Sequence, residues 1–352
     1  MRKPVLVAAA LLLGLAGAVA LWWLDHYRWA GGFRTVTPHF AGTCKAVEGV
    51  PSPEDLLIDS ATGVAYISSY DRSAAAGGAP VPGAILAYDL NDPTPDLVNL
   101  TPEADAEFRP HGISLYRDAT GDARLFVVNH PSDGDAIELF DLTPEGLAHR
   151  ETLRSDVLTS LNDIVAVGER QVYVTNSRRH SSGLLGWIEA NFRMSWGNVV
   201  YYDGQAFSVV LPGVAFPNGI NADRTGAQIY LVSSFDQAVH VYRRDATSGG
   251  LTFERSAFVG TRLDNLDVAQ TGDLWVAGRA QYFESPQPSQ VVRIRLGRDA
   301  EPDVEEVYVN RGDELGNASV AAVHGRHLLI GSSRGTRFLH CLMAEETLPP
   351  GS

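Results

Sequence analysis

The chain is 352 residues long and 45% hydrophobic, with a formal net charge of −14 and only two lysines, Lys3 and Lys45. That length can bury a large core, as two domains or as one large all-β unit. The acidic balance excludes a nucleic-acid binder, which needs a basic face, and suits metal cations or neutral substrates.

At the N-terminus, Arg2 and Lys3 precede an apolar run from Val5 to Leu24. It spans about 20 residues, enough to cross a bilayer core. Ala18-Val19-Ala20 fits a signal-peptide cleavage site. Leu21, Trp22, Trp23 and Leu24 follow it, however, and are a poor start for a soluble mature chain. The expectation is an uncleaved signal anchor over 1–27 that ties the protein to a membrane, with 28–352 exported to the periplasm or the extracellular side. Cleavage and secretion is the alternative. Cys44 and Cys341 sit near the two ends of the exported part, and in an oxidising compartment the pair reads as a disulfide. Two separate buried thiols are the other reading.

One motif then recurs along the chain: a polar mouth, an apolar strand, a glycine turn and a second strand. It appears as "EDLLIDSATGVAYIS", "HGISLYRDATGDARLFVVN", "NDIVAVGERQVYVTN", "NGINADRTGAQIYLVS", "DNLDVAQTGDLWVAG" and, degenerate, "ASVAAVHGRHLLIGS". These begin at residues 54, 111, 162, 218, 264 and 318, so successive starts lie 46 to 57 residues apart. Further strands fall between them, such as "GAILAYDL", "AIELFDL" and "NVVYYDG". The pattern predicts an all-β fold, a six-bladed β-propeller with a central tunnel. A propeller must close its ring. "FRTVTPHFAGTCKAV" (33–47) before the first motif and "TRFLHCLM" (336–343) after the last are placed to do so, with the cysteine pair as a staple.

Residues 180–196, "HSSGLLGWIEANFRMSW", lie outside the repeats and place Leu184, Leu185, Ile188, Phe192 and Trp196 at roughly helical spacing. An amphipathic helix packed on the propeller is one reading. Of the histidines, His240, His324 and His327 suggest no partner.

In a propeller the inner strand of every blade aims its first residues at one axis. The mouths therefore converge Glu54-Asp55, His111, Asn162-Asp163, Asn218 and Asp264-Asn265 on the tunnel. A set of carboxylate and amide oxygens is what Ca²⁺ takes, usually about six to eight of them. Zinc would want histidine or cysteine, and His111 is alone in the ring. The oxygens exceed the needs of one ion, so two Ca²⁺ ions are expected.

Taken together, "PEDLLID", "FRPHGISLY", "LFVVNHP", "LNDIVAVG", "PNGIN", "LDNLDV…TGDLWV" and "VAAVHGRHLLIG…LHC" resemble the paraoxonases, calcium-dependent lactonases and arylesterases. The likeness spans essentially the whole exported chain. It implies a catalytic Ca²⁺ held by Glu54, Asn162, Asn218, Asp264 and Asn265. It also implies a structural Ca²⁺ on Asp55, Asp163 and the backbone carbonyl of Ile113. The family's paired histidines match His111 and His130, its closing disulfide matches Cys44 and Cys341, and its retained leader matches the N-terminal run. In the family the 180–196 region forms a helix over the tunnel mouth that contributes to the pocket and to membrane contact.

The chemistry so implied is hydrolysis of a small-molecule lactone or aryl ester. Ca²⁺ polarises the carbonyl, His111 acts as base, and His130 stands behind it to orient and relay. The chain departs from the family at Gly278-Arg279, where a Cys-His pair is expected, and at Ser177-Arg178, where an acidic residue and a histidine are expected. Both departures bear on substrate scope and leave the metal ligands untouched. Gluconolactonases and strictosidine synthase-like propellers form a second enzyme reading. A non-catalytic propeller using Ca²⁺ for rigidity, with its rim for partners, forms a third.

Overall fold

Six antiparallel sheets follow one another along the chain, and the first strand of each is one the repeats mark. These are Pro53–Asp59, Pro110–Arg117, Leu161–Ala166, Pro217–Ala222, Arg262–Val268 and Ala318–His324. The computed structural model describes residues 2–345 apart from 79, 80, 298 and 299. Each first strand pairs with the strand after its glycine turn, and the six first strands touch one another in a closed ring. The six-bladed propeller expected from the repeats is the fold.

The reason lies in the second and third strands of each blade. Ala123–Asn129 is buried at every position, and Val172–Asn176 likewise. A strand apolar on both faces needs cover on both faces, and in a propeller the neighbouring blades supply it. Six apolar clusters accordingly fill the six gaps between successive blades. Ile164, Val172 and Val174 of the third blade, for example, pack on Phe126, Val128 and Leu139 of the second.

Closure uses both ends of the chain. Gly42–Glu48 forms the outer strand of the sixth blade by pairing with Arg337–Met343, with Cys44 directly opposite Cys341. The two form a disulfide across a sequence separation of 297 residues. His39–Phe40 adds a fifth strand to the blade before it. A second seam joins the first and sixth blades, where Tyr88 Oη lies 3.0 Å from His340 Nδ1 and His340 Nε2 lies 2.7 Å from His327 Nδ1. His327 thus has a partner that sequence reading did not suggest. So does His240, on Asp236 and Ser256.

The N-terminal helix, Arg2–Trp29, is long and apolar enough over Leu6–Trp29 to cross a membrane, and none of that stretch is buried against the propeller. Its C-terminal third is tied down. The Trp29 indole donates to the Phe235 carbonyl at 3.0 Å, and Gln237 donates to the Trp29 carbonyl at 2.7 Å.

Two outcomes are expected of the closure. In the chain-entropy view a cross-link over so long a loop is worth on the order of 5 kcal/mol. Cys341→Ser, or reduction, should therefore lower the melting temperature by several degrees, more than a typical surface change does. Free thiols at both positions in exported protein, read by mass spectrometry, would contradict the staple. The second outcome concerns acid. Burial, with His327 and Lys45 adding to it, pushes the His340 imidazole from 6.5 down to about 4, so the fold holds it neutral. The stability this contributes is complete above about 6.5 and is lost as pH falls through that window towards 4. A melting-temperature series over those pH values should be flatter for His340→Asn than for wild type.

Candidate active site

At the head of every inner strand the ladder loses register. The breaks fall between Pro53 and Asp55, Pro110 and Ile113, Leu161 and Ile164, Pro217 and Ile220, Leu263 and Leu266, and Ala318 and Val320. A bulge frees a residue from pairing and re-aims its side chain. The residues freed are Glu54, His111, Asn162 and Asp163, Asn218, Asp264 and Asn265, and Ser319. Two of the mouths also need glycine. A Cβ on Gly112 would lie 2.5 Å from the Asp163 Cα, and one on Gly219 would lie 2.6 Å from the Asn265 Cα. Their absence lets neighbouring inner strands close on the axis.

All the residues that sequence reading placed in the tunnel are brought together there. Asn218 Nδ2 lies 2.5 Å from Asp264 Oδ1, and Asn265 Nδ2 lies 3.3 Å from Glu54 Oε1. The oxygens are left over. Asn162 Oδ1, Asn218 Oδ1 and Asn265 Oδ1 are buried without a hydrogen-bond donor, and the polar neighbour of Glu54 Oε2 is His111 Nε2 at 3.2 Å. A buried acceptor without a partner is costly and marks a site meant for something else. Among the described residues no three His, Cys, Asp or Glu side chains form a metal-holding group. The donors gathered here are mainly amide oxygens, which suit a hard cation such as Ca²⁺ rather than zinc. The donor set fits the ion implied by sequence. One contact runs against it, since Arg279 donates to Asp264 Oδ2 at 2.5 Å and covers one carboxylate oxygen.

One residue deeper, Asp55 accepts from the N–H of Leu56 at 3.0 Å and of Ile113 at 2.8 Å. Asp163 accepts from Ile164 and Ile220, both at 2.7 Å. Each carboxylate thereby ties its blade to the next. Burial first, then the repulsion of neighbouring carboxylates, pushes both carboxyls well above the usual range. They flank a cavity of about 270 Å³ at the far side of the ring, with Ile113, Ile220 and Leu266 in its wall. Two buried acids whose carboxylate neighbours raise their affinity for a proton likewise favour a cation.

Above the ring stands a hydrogen-bonded chain of three residues. His111 Nδ1 lies 2.9 Å from His130 Nε2, and His130 Nδ1 lies 2.8 Å from Asp135 Oδ1. Asp135 Oδ2 accepts from the Leu161 N–H at 2.7 Å. Burial raises the Asp135 carboxyl, but the bonds from His130 and Leu161 outweigh it and hold it below the usual range. An ionised Asp135 accepts a hydrogen bond from the N–H at His130 Nδ1, which makes His130 Nε2 an acceptor. His111 then donates from Nδ1 and keeps a bare Nε2. That nitrogen faces the ring, 3.2 Å from Glu54 Oε2. Burial holds the His111 imidazole below its ordinary value, so it is neutral near pH 7. Sequence reading missed Asp135, and its position five residues after His130 in a glycine-containing loop was the available signal.

Gly183–Asn191 is a helix shorter than the 180–196 stretch that suggested it. It is not the packed amphipathic helix either. Leu184, Leu185, Trp187 and Phe192 are exposed, while the side chain it buries is Glu189. The Glu189 carboxylate accepts from the backbone N–H groups of Arg179 and His180, at 2.9 and 2.8 Å. The loop supplied two unpaired donors, and one carboxylate on the helix satisfies both. The N-terminal helix meets the same element, through Trp22 on Phe192 and an ion pair of Asp25 with Arg193.

Comparison with known proteins decides the family. The profile of the Arylesterase family matches residues 36–345. Serum paraoxonase/arylesterase 2 of Gallus gallus is 34% identical over 342 residues, which cover 93% of this chain and 96% of that one. The chain belongs to the arylesterase, or paraoxonase, family. Serum paraoxonase/arylesterase 1 of Homo sapiens is 35% identical, over 85% of this chain and 88% of its own length. Like the family, the chain is a carboxylic ester hydrolase. A gluconolactonase from Xanthomonas campestris superposes with a TM-score of 0.54 at 14% identity, covering 88% of this chain and 99% of its own, and so shares the fold alone. The readings as a gluconolactonase-type enzyme and as a non-catalytic scaffold fall away.

The Glu189 anchor of this helix can be tested. Glu189→Ala leaves two backbone donors without a partner, which costs about 1–3 kcal/mol locally. The segment around 178–196 should become the first site of limited proteolysis, with the melting of the propeller little changed.

Proposed function

We propose that the chain is a Ca²⁺-dependent hydrolase of lactones and aryl esters. The reading rests on one observation above all: three buried amide oxygens without donors share a ring with Glu54, whose Oε2 lies 3.2 Å from His111 Nε2. Glu54, Asn162, Asn218, Asp264 and Asn265 would hold the catalytic ion, with Asp264 giving up Arg279. Asp55, Asp163 and the Ile113 carbonyl would hold a structural one. When bound, the catalytic ion supplies a Lewis acid for the ester carbonyl and for the negative charge that develops on its oxygen.

The chain's own residues move the proton. A water between His111 Nε2 and the ring loses a proton to that nitrogen as its oxygen attacks the carbonyl carbon. The charge gained by His111 is stabilised through the Nδ1–H bond to His130, which is oriented by ionised Asp135. The same proton then passes to the departing alkoxide, which leaves an acid and an alcohol. The N-terminal helix would act as an uncleaved anchor for the exported propeller, and the exposed apolar helix beside it would rest at the membrane surface.

Three measurements test this. Calorimetric titration of the full chain should show two Ca²⁺ sites of unequal affinity, and chelation should both lower the melting temperature and abolish turnover on a panel of lactones of varied ring size. A single site, or zinc in metal analysis, defeats the ligand assignment. His111→Gln should lower lactonase kcat by about 10²–10⁴-fold with Ca²⁺ content unchanged. Asp135→Asn should cost less than His111→Gln, since orientation contributes less than proton transfer. A His111→Gln protein with full Ca²⁺ and the wild-type rate would return the dyad to a structural role.

A further inference from the structure

The second strands of the blades all end on the rim where the inner strands begin, and arginines cluster on that rim. Arg72 follows Val64–Ser69, Arg178 follows Val172–Asn176, Arg279 ends Leu274–Arg279 and Arg334 follows His327–Ser332. Arg262 opens the fifth inner strand. These five line one cavity of about 610 Å³, in a chain whose net charge is −14.

Only one of them is neutralised. Arg279 pairs with Asp264. Among the described residues, Arg72, Arg178, Arg262 and Arg334 have no carboxylate partner, and the one acid on the cavity wall, Glu284, is exposed. Arg262 is the informative member. It is 9% exposed, and its Nε has no hydrogen-bond partner. Its guanidinium lies 4.1 Å from the centre of the Tyr282 ring and 5.4 Å from that of Phe216, whose ring Arg178 also approaches, at 5.1 Å. Stacking engages the guanidinium faces; Arg262 also bonds to the Tyr282 hydroxyl, and its Nε is left over. Burial would raise the Tyr282 phenol, yet the charges of Arg262, Arg279 and Arg178 hold it below its ordinary value. A buried guanidinium with no carboxylate partner is costly unless an anion completes it.

We infer that this cavity binds an oxyanion carried by the substrate, so the preferred substrates are lactones or esters that bear a free carboxylate or phosphate beside the bond to be cleaved. The inference rests on the hydrolase reading and deepens it. Arg279 joins the two regions, since it touches Asp264 of the ring and lines the cavity. Forked guanidinium groups recognise carboxylate and phosphate alike.

The test compares monophenyl glutarate with its neutral methyl ester, and a phosphate-bearing phenyl ester with its neutral counterpart, on the full chain loaded with Ca²⁺. The expected result is a preference of at least about tenfold in kcat/KM for one anionic member, carried by KM. It should shrink as sodium chloride is raised. Arg178→Gln and Arg334→Gln should each reduce that ratio, and general damage to the enzyme cancels in it. Equal turnover of charged and neutral members overturns the inference while leaving the hydrolase reading intact. If no ester is cleaved, calorimetry with glutarate and with inorganic phosphate decides. Binding that Arg178→Gln weakens supports the anion cavity although the hydrolase reading has failed, and no binding of either overturns the cavity as well.

Discussion

Everything at the centre of this propeller depends on the break in strand register at the head of each inner strand. A regular ladder would turn alternate side chains into the gaps between blades, where the apolar clusters lie. The bulge releases one or two residues per blade from that alternation, and the circular arrangement collects them on one axis. Gly112 and Gly219 are part of the same device, because a Cβ at either would hold neighbouring inner strands apart. The cost is a set of buried oxygens that no protein group satisfies. A fold keeps such a set only where something outside the chain completes it, which is the physical basis for placing a hard cation there.

Two kinds of support hold the site in shape. Asp55 and Asp163 reach across from their own blades to the backbone of the next, so the ring is braced by the same carboxylates that would hold the deeper ion. Above the ring, Asp135 orders the dyad from a loop rather than from a strand. Its second oxygen is held by the Leu161 N–H, at the start of the third inner strand. The histidine chain is thus tied to the element that carries Asn162 and Asp163, so the proposed base and the proposed metal ligands share one mechanical frame.

The field around the site opposes the net charge of the molecule. Acidic groups dominate the whole chain, but arginines cluster on the rim where the inner strands begin. A small molecule approaching the site meets the near field, since distant surface charges are screened over about 10 Å. The expectation of a neutral substrate, drawn from the overall charge, therefore does not carry over to the cavity itself.

The propeller was legible in the sequence because its signal is local and repeated. A polar mouth, an apolar strand and a glycine turn recur six times, and one such unit cannot bury its faces without the others. The ring of oxygens was legible for the same reason, since equivalent positions in a repeat must point the same way. The terminal cysteines could be paired because only one pairing was possible. Other features depend on residues far apart in sequence, and no local pattern encodes them. Asp135 belongs to the dyad through a hydrogen bond from a loop. Glu189 is buried because a neighbouring loop left two donors free, although its helix reads as amphipathic with the opposite face inward. Arg72, Arg178, Arg262, Arg279 and Arg334 come from four blades, unremarkable one by one, and only closure of the ring makes them a single charged wall. Periodicity specifies what repeats, while contacts between non-equivalent loops are settled by the tertiary packing that brings them within a few ångströms.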